Sequence, residues 1–413
     1  MDIDRARRTV LSVSEAQTLI LAEARSFGTE KIALEKSFGR VLAENVMADR
    51  DYPPFNRSAM DGYAIVAEKF TAQKEYPVLG TIYAGDALAS PRRKSEVVAV
   101  NGEGSVKIMT GAAVPAPYNA VIRREDARET DSERVAFAAA EVKPWHNISR
   151  QGEDLGRGDK LPVAGHFIDP MAVTLLASLG VQRPLVHKLP RVTIITTGNE
   201  IVPVHKKPKP TQIRNANALA LRCLLARFGI LRVSEKHVAD DRVKLRSALQ
   251  TALASDIVLL TGGVSAGDSD YVPQILEQLK VKQVFHKTAM KPGKPLWFGK
   301  RSKTRVFAIP GNPFSAQVVF CVYIAPFLRS CFGMAPRVTL TMPLAAERRK
   351  KDSMQHFFPV RVANKGEGIS ELEAIAFNGS GDIRAGFGAD GLAVHSAEKK
   401  EIRRGDLVEF LPW

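Results

Sequence analysis

The chain contains two kinds of region, which differ in the pattern of their apolar residues. Between about residues 187 and 335, continuous apolar and β-branched runs at 192–197, 256–261 and 305–309 alternate with segments whose apolar residues recur at helical spacing. Runs that are apolar on both faces are typical of buried strands in a parallel sheet with helices on each side. This region predicts an α/β domain, whose ligands should bind beyond the carboxyl ends of the strands.

The remaining segments carry shorter runs separated by turn residues. Residues 1–50 and 141–186 predict a mixed α/β linker domain, residues 51–140 an inserted β domain, and residues 336–413 a C-terminal β domain. Residues 187–335 form the α/β domain, so the expected fold class is multidomain α/β plus β. The most apolar stretch, 318–328, contains Pro326 and predicts a buried helix.

The composition and charge of the chain indicate which kinds of molecule it binds. The net charge is +15, but lysines and arginines are spread along the chain without a zinc-finger, helix-turn-helix or RNP signature, so no nucleic-acid partner is expected. A positive field would instead attract a small polyanion. The N-terminus lacks the layout of a secretory signal, and no run reaches 18 apolar residues, so we expect a cytoplasmic protein without a membrane partner.

The three cysteines, Cys223, Cys321 and Cys331, form no C-x-x-C pair. An odd count argues against a disulfide framework, and the scattered histidines argue against a closed zinc site. We therefore expect buried thiols in a reducing compartment.

Each of the three buried strands is followed by a polar loop that contains glycine: TTGNE, TGGVSAGDSDY and PGNPFSA. Glycines let backbone N–H groups approach a phosphate closely, and a helix N-terminus adds favourable partial charge. One such loop is a plain tight turn at least as often as a phosphate site, but three at matching strand ends favour a phosphate-binding crevice. The candidate binding residues in the last two loops are Gly262, Gly263, Ser265, Gly267, Asp268, Pro310, Gly311, Asn312, Pro313 and Ser315.

Charged residues accompany these loops. The carboxylates of Glu200, Asp240 and Asp270 would repel phosphates unless a divalent cation lay between, so they are candidate metal ligands. The segment FHKTAMKPGKPLWFG brings together three lysines that can hold an oxyanion as point charges: Lys287, Lys291 and Lys294. Earlier motifs, MDGYA, IMTGAAVP and QGEDLGRGD, are each compatible with simple turns.

The motifs PPFNRSAMDGYA, IMTGAAVP, GEDLGRG, TTGNE, GGVSAGDSDY, MKPGKP and PGNPFSA, in this order, resemble the molybdopterin molybdenumtransferase (MoeA) family, which is similar to the E domain of gephyrin. The resemblance implies an elongated homodimeric transferase of molybdenum cofactor biosynthesis. Such an enzyme would insert molybdate into adenylylated molybdopterin and release AMP, with Mg²⁺ as cofactor. Its active site would lie in the α/β domain near the partner subunit, and the molybdopterin adenylyltransferase is a further implied partner.

The same resemblance assigns roles to individual residues. It implies that Asp61, Thr110 and Asp154 lie at the cleft and that Glu200, Asp240 and Asp270 surround the cation and phosphates. It also implies an oxyanion pocket of Lys291, Lys294, Ser315 and Ser380. The chain departs from the family with PPFNRS for PPFDNS and with Ala266 for valine. The family's arginine before an F-x-R run has no clear counterpart in RRKKDSMQHFFPVRV, where Arg349 or a neighbouring lysine is the candidate.

Two other functions are compatible with parts of the pattern. A non-catalytic molybdopterin-binding scaffold would need an exposed apolar groove and could lack the acids. A molybdopterin adenylyltransferase or another nucleotide hydrolase would share the α/β domain. The acids and lysines are present, and the motifs MDGYA and GEDLGRG precede the α/β domain, so the sequence favours the molybdenum-inserting enzyme.

Overall fold

A computed structural model describes residues 10–86, 103–131, 133–263, 271–364, 366 and 370–413. The chain forms two compact units. The smaller unit comprises Asn45–Val163 and Thr174–Gln182, and the larger comprises Met1–Glu44, Ala164–Val173 and Arg183–Trp413. Residues 87–102 of the predicted inserted β domain lie outside the described residues, and the predicted four-domain boundaries stay a prediction.

The elements before residue 190 are short. The helices are Val13–Leu21 (α1) and Pro170–Ser178 (α2), with 3₁₀ turns at Leu34–Lys36, Ala67–Lys69 and Arg124–Asp126. The strands are Thr29–Lys31 (β1), Val46–Met47 (β2), Arg57–Ser58 (β3), Gly62–Ile65 (β4), Glu75–Ile82 (β5), Ser105–Ile108 (β6), Ala120–Arg123 (β7), Ala127–Asp131 (β8), Arg134–Phe137 (β9), Ile148–Ser149 (β10), Lys160–Leu161 (β11) and Leu185–His187 (β12).

The smaller unit is built on a six-stranded sheet with the order β7-β4-β6-β5-β9-β8. Successive residues of β4 face opposite sides, since Ala64 belongs to one apolar cluster and Tyr63 and Ile65 belong to another. Burial of both faces explains why this strand is apolar throughout. Gly62 is required there, because a Cβ would lie 2.0 Å from the carbonyl oxygen of Ile122 on β7.

Helix α1 in the larger unit begins with a capping box. The Ser12 hydroxyl accepts a hydrogen bond from the Glu15 N–H (3.2 Å), and the Glu15 carboxylate accepts one from the Ser12 N–H (2.9 Å). Val13, Ala16 and Ile20, at helical spacing, are buried in the main core of the unit. The cap and the apolar stripe together explain why the helix forms here.

The middle of the chain forms the predicted α/β architecture. Its strands are Val192–Thr197 (β13), Ile201–Val202 (β14), Ile213–Arg214 (β15), Val233–Val238 (β16), Ile257–Thr261 (β17), Lys282–His286 (β18), Met290–Lys291 (β19), Trp297–Arg301 (β20) and Thr304–Ile309 (β21). Its helices are Ala216–Ala226 (α3), Arg242–Ala252 (α4) and Val272–Gln278 (α5). The three apolar runs of the sequence are β13, β17 and β21, and they are neighbours in the order β16-β13-β17-β21-β20-β18.

This sheet is covered on both faces. Ile194 and Leu259 belong to one apolar cluster, whereas their chain neighbours Ile195, Val258 and Leu260 belong to another. Each such side chain stabilises the fold by about 1.5–3 kcal/mol when fully buried. Strands β16, β13, β17 and β21 are parallel, as expected.

Strands β20 and β18 depart from the expected parallel arrangement, because they pair antiparallel at the β21 edge. Only Ser302 and Lys303 separate β20 from β21. A parallel connection needs a crossover of a dozen or more residues, so such a short link can only form a hairpin.

The long apolar segment is a core helix in three parts: Pro313–Val319 (α6), a π-helical turn Phe320–Ile324, and Ala325–Cys331 (α7). Pro326 occupies the first turn of α7, where its missing N–H is tolerated. By length and composition Pro313–Cys331 could cross a membrane, but 67% of it is buried inside the protein. The prediction of a buried helix at 318–328 is confirmed.

The C-terminal strands are Leu340–Pro343 (β22), Arg348–Arg349 (β23), Gln355–Asn364 (β24), Ser370–Ala374 (β25), Gly391–His395 (β26), Glu401–Ile402 (β27) and Leu407–Pro412 (β28). They form the expected β architecture, with a sheet of order β19-β24-β26-β28-β22. Strand β19, which belongs in sequence to the α/β region, pairs with β24 through Met290–Gln355 and Lys291–His356. This pairing places the loop that contains Lys291 and Lys294 beside the C-terminal sheet.

The expectation of buried thiols is confirmed for Cys331, which is 2% exposed. It is wrong for Cys223, which is exposed on α3. Cys223 lies on the polar side of that helix, opposite the buried residues Leu221 and Leu225. All three cysteines are free.

Candidate active site

A cavity of about 480 Å³ lies where β19, the loop after β21 and the C-terminal strands meet in the larger unit. Six of the predicted binding residues line it: Lys291, Lys294, Pro310, Asn312, Ser315 and Ser380. The Asn312 side-chain amide donates a hydrogen bond to the Ser380 hydroxyl (2.9 Å). That bond joins the PGNP loop to the NGSGD loop, which are distant in sequence.

The lysine-bearing loop depends on a glycine. Gly293 has φ +112°, and a Cβ there would lie 2.8 Å from Val319 Cγ2 and 3.0 Å from the Met290 side chain. The loop therefore packs directly on the apolar helix while Lys291 and Lys294 on either side reach the cavity. Lys287, the third lysine of the segment, is not among the residues that line it.

Sequence reasoning missed two residues that lie at this cavity, since His356 lines it and Asp352 contacts both His356 and Lys291. Lys291 Nζ lies 3.6 Å from Asp352 Oδ2, and the other oxygen of Asp352 lies 2.7 Å from His356 Nε2. Burial raises the pKa of Asp352, but the hydrogen bond from His356 and the nearby positive charges outweigh it and lower the pKa. Burial lowers the pKa of His356 despite the adjacent carboxylate.

The C-terminal arginine at the cavity is Arg348, not Arg349. Arg349 extends to the other side of β23, where its guanidinium approaches Glu347 (3.7 Å) and Glu401 (3.5 Å). Successive residues of a strand face opposite sides, so one of the two had to face inward. The alternation was visible in the sequence, but the side that faces the cavity was not.

The predicted carboxylates Glu200 and Asp240 follow β13 and β16, which are paired in parallel up to Thr197 and Val238. Asp240 accepts hydrogen bonds from the Thr197 hydroxyl (2.8 Å) and the Asn199 N–H (3.2 Å). The Glu200 carboxylate lies over Gly198, where a Cβ would be 2.5 Å from both of its oxygens. Both carboxylates are exposed and lie beside residues 198–199 at the carboxyl edge of the sheet.

The glycine loops approach one another at the same edge. Gly262 has φ +92°, and a Cβ there would lie 2.7 Å from the Thr197 carbonyl oxygen. Gly311 lies against Gly262, since a Cβ on Gly311 would be 3.6 Å from Gly262 Cα. The buried Asn217 amide donates to the Gly311 carbonyl (2.7 Å) and the Thr261 hydroxyl (3.3 Å). Gly263, with φ +65°, continues this loop, and Pro313 begins α6.

Four predicted residues, Ser265, Gly267, Asp268 and Asp270, lie outside the described residues. Within the described ranges no group of three or more His, Cys, Asp or Glu side chains is placed to hold a metal ion. The structure thus brings the predicted residues of the larger unit into two groups, the strand-end acids and glycines and the lysine cavity. They share the loop after β21, which supplies Gly311 to one and Asn312 to the other.

In the smaller unit, Asp61 and Thr110 are in direct contact. The Thr110 N–H and hydroxyl both donate to Asp61 Oδ1 at 2.7 Å. These two hydrogen bonds lower the pKa of Asp61. Asp154 lies on a loop and its side chain is exposed, while its own backbone N–H donates a hydrogen bond to the Tyr52 carbonyl (3.0 Å).

Replacing Thr110 with valine is expected to raise the pKa of Asp61 toward its ordinary value, because one of two donors to the carboxylate is lost. A lowered pKa gives stability that is present above the ordinary pKa and is lost as the pH falls through the lowered value. The Thr110→Val protein should therefore lose this contribution at a higher pH. Carbon-13 NMR titration of the Asp61 carboxyl measures the pKa, and Thr110→Ser, which keeps the hydroxyl, is the control. An unchanged titration in Thr110→Val would show that the hydroxyl does not hold the carboxylate.

Comparison with protein families assigns three consecutive regions. Residues 11–180 match the MoeA N-terminal region (domains I and II), residues 193–330 match a probable molybdopterin binding domain, and residues 341–413 match the MoeA C-terminal region (domain IV). Together the three matches include residues of both units.

Complete relatives agree. The chain is 31% identical to the molybdopterin molybdenumtransferase of Synechocystis sp. over 98% of its length and 100% of the relative. It is 34% identical to that of Synechococcus elongatus over 87% and 89% of the two chains. The crystal structure of the molybdopterin biosynthesis MoeA protein from Pyrococcus horikoshii superimposes with a TM-score of 0.79 at 28% identity, covering 98% and 100% of the chains. The chain therefore belongs to the MoeA family of molybdopterin molybdenumtransferases.

Proposed function

We propose that this protein inserts molybdate into adenylylated molybdopterin, with release of AMP, and so completes the molybdenum cofactor. The observation that carries the proposal is the convergence of Lys291, Lys294, Ser315 and Ser380 on one cavity. Ammonium groups supply charge for a doubly negative oxyanion, and hydroxyls supply hydrogen bonds to its oxygens. Family membership makes the chain a transferase of this pathway.

The strand-end group would hold the nucleotide-linked pterin. Gly262 and Gly311 leave their backbone free of side chains at the edge of the sheet, as binding of a pyrophosphate requires. Because the loop after β21 belongs to both groups, a phosphate bound at Gly311 would lie next to the oxyanion cavity. Binding the two substrates on one loop would bring them together in the right orientation.

Glu200 and Asp240, together with Asp270, would hold the Mg²⁺ of the reaction. The fit rests on the donor set, because hard oxygen ligands suit Mg²⁺ and neither Glu200 nor Asp240 forms an ion pair with a described residue. The cation would neutralise charge on the phosphates as the anhydride is cleaved. The chain's own part is to orient the carboxylates, which the bonds from Thr197 and Asn199 do for Asp240.

Other features of the proposal concern the assembly and its location. Asp61, Thr110 and Asp154 would act at the cleft, and the active protein would be a cytoplasmic homodimer that receives its substrate from the molybdopterin adenylyltransferase. The domain division is proposed as predicted: 1–50 with 141–186, 51–140, 187–335 and 336–413.

The test is incubation of the protein with adenylylated molybdopterin, Mg²⁺ and molybdate. AMP and active cofactor should appear together, and cofactor activity should be absent when molybdate is omitted. Binding of the pterin nucleotide without AMP release at saturating molybdate would instead support a scaffold. ATP-dependent adenylylation of metal-free molybdopterin would support an adenylyltransferase.

A further inference from the structure

A basic loop at the carboxyl edge of the α/β sheet has no part in the site described so far. Residues 203–212, PVHKKPKPTQ, connect β14 to β15 and contain three lysines but no acidic residue. Lys206, Lys207 and Lys209 are exposed, and so is Arg214, which follows on β15. The basic loop therefore concentrates positive charge in one short segment of the surface.

Both ends of the basic loop are anchored at the edge that carries the strand-end acids and glycines. Strand β14 begins directly after Glu200, and the Ile213 N–H donates to the Glu200 carbonyl (2.8 Å). At the other end Asn215 caps α3, and Asn217 in the first turn of that helix donates to the Gly311 carbonyl (2.7 Å). The basic loop thus starts beside a proposed ligand of the cation and ends beside the proposed phosphate loop.

Hydrogen bonds within the basic loop hold its backbone in place. The Gln212 N–H donates to the Lys209 carbonyl (2.9 Å), and the Gln212 side-chain oxygen accepts from the Lys209 N–H (3.2 Å). Arg214 Nε donates to the Val204 carbonyl (3.0 Å), so this guanidinium is used to fix the loop. Pro208 restricts the backbone between the lysines. The three ammonium groups therefore project from an ordered segment.

The charges of these lysines are not neutralised by neighbouring side chains. Lys206, Lys207 and Lys209 form no ion pair with a residue that the structure describes, whereas Lys244 on α4 lies 3.7 Å from Asp241. An exposed ammonium group is well hydrated, so a contact with it adds little affinity. Its field still extends over about 8 Å at physiological ionic strength. Such charges are suited to attracting an anion from a distance.

We propose that the basic loop attracts the anionic pterin nucleotide to the strand-end site and so raises its rate of association. The inference rests on the proposed function of that site and deepens it. Adenylylated molybdopterin carries negative charge on both phosphates of its anhydride, so the field of the lysines would attract it. Exposed charges beside a binding site act chiefly on the association rate and its salt dependence, whereas buried contacts act on dissociation.

Two triple variants that lose the same charge test the proposal. The loop variant neutralises the three lysines of the basic loop: Lys206→Gln, Lys207→Gln and Lys209→Gln. The edge variant neutralises three exposed cations at the opposite, amino edge of the same sheet, where β18 begins and a hairpin joins β20 to β21: Lys282→Gln, Arg301→Gln and Lys303→Gln. The length of β21 separates the two edges by about 20 Å, which is about two Debye lengths at 0.1 M salt.

The measurement is stopped-flow fluorescence with ADP that carries an N-methylanthraniloyl group on its ribose. This probe supplies the anhydride and the adenosine half of the substrate. At about 0.1 M salt the loop variant should associate about three- to tenfold more slowly than the wild type, at the low end of electrostatic steering effects. At about 1 M salt the difference should shrink to within about 1.5-fold, because the Debye length falls to about 3 Å.

The edge variant and the dissociation rates provide the controls. The edge variant should associate within about 1.5-fold of the wild type at both salt concentrations, because its charges lie too far from the site. The dissociation rate of the loop variant should stay within about twofold of the wild type. Faster dissociation at an unchanged association rate would mean that the lysines contact the bound nucleotide, and this would overturn a role in steering.

The outcomes separate the two proposals. Slow, salt-sensitive association of the loop variant supports steering even if the wild type makes no cofactor, a result that would overturn the proposed function alone. Equal association rates of the loop and edge variants, with an active wild type, would overturn steering alone. A wild type that binds no nucleotide would overturn both.

Discussion

Replacing Glu200 with glutamine is expected to lower AMP release about 100-fold, which is the usual cost of losing one charge-stabilising group in an active site. The Glu200 side chain is exposed and makes no hydrogen bond with a described residue, so glutamine removes its charge without disturbing the fold. The carboxylate lies over Gly198 at the edge where Asp240 is held by Thr197 and Asn199. Initial rates of AMP release at saturating molybdate and varied Mg²⁺ measure the effect.

The matched control is Glu235→Gln. Glu235 is exposed in the middle of β16, 3.9 Å from Arg222, on the same sheet but away from its carboxyl edge. It should keep the wild-type rate. If Glu200 helps to hold the cation, Glu200→Gln should also need more Mg²⁺ for half-maximal rate. A Glu200→Gln protein with wild-type rates and Mg²⁺ dependence would remove Glu200 from the site.

The parts of the fold that the sequence predicted are those set by local pattern. Strands β13, β17 and β21 were recognisable because both of their faces are buried, which makes every residue apolar. Strand β16 was not predicted, since it lies at the sheet edge and four consecutive residues of it are exposed. An edge strand with polar residues such as Glu235 and Lys236 has no apolar signature.

The candidate site was predictable only in part. Glycine loops at strand ends follow from sequence, because the carboxyl ends of parallel strands meet at one edge. The pairing of Lys291 with His356 joins residues 65 positions apart, and no local pattern encodes it. His356 reaches the cavity through that pairing and contacts Asp352, so neither residue could be found before the C-terminal sheet was placed beside β19.

Removing the carboxylate of Glu23 is expected to give the largest loss of stability, about 3–5 kcal/mol of unfolding free energy, since it leaves a buried charge without its partner. Arg305 on β21 is 3% exposed, and its Nη2 lies 3.0 Å from Glu23 Oε2. The other oxygen of Glu23 pairs with Lys300 on β20. Burial lowers the pKa of Arg305, and the charge of Glu23 opposes that effect.

The measurement is urea unfolding of Glu23→Ala followed by tryptophan fluorescence in a Trp145→Phe background. The signal then comes from Trp297 and Trp413, which both lie in the larger unit with Glu23. Glu401→Ala, which removes an exposed pair with Arg349 at 3.5 Å, should cost no more than about 1 kcal/mol.

The double variant Glu23→Leu with Arg305→Met decides whether the loss comes from the stranded charge. Replacing both partners by apolar side chains removes the unpaired guanidinium, so stability should return most of the way to that of the wild type. Recovery would mean that the ion pair contributes little net stability. The instability of Glu23→Ala would then come from leaving the Arg305 guanidinium buried without a partner. If the double variant is as unstable as Glu23→Ala, the lost stability comes instead from packing around the end of α1. Both variants lack the Glu23 side chain, but only Glu23→Ala keeps the buried guanidinium of Arg305, so an equal loss cannot come from that charge.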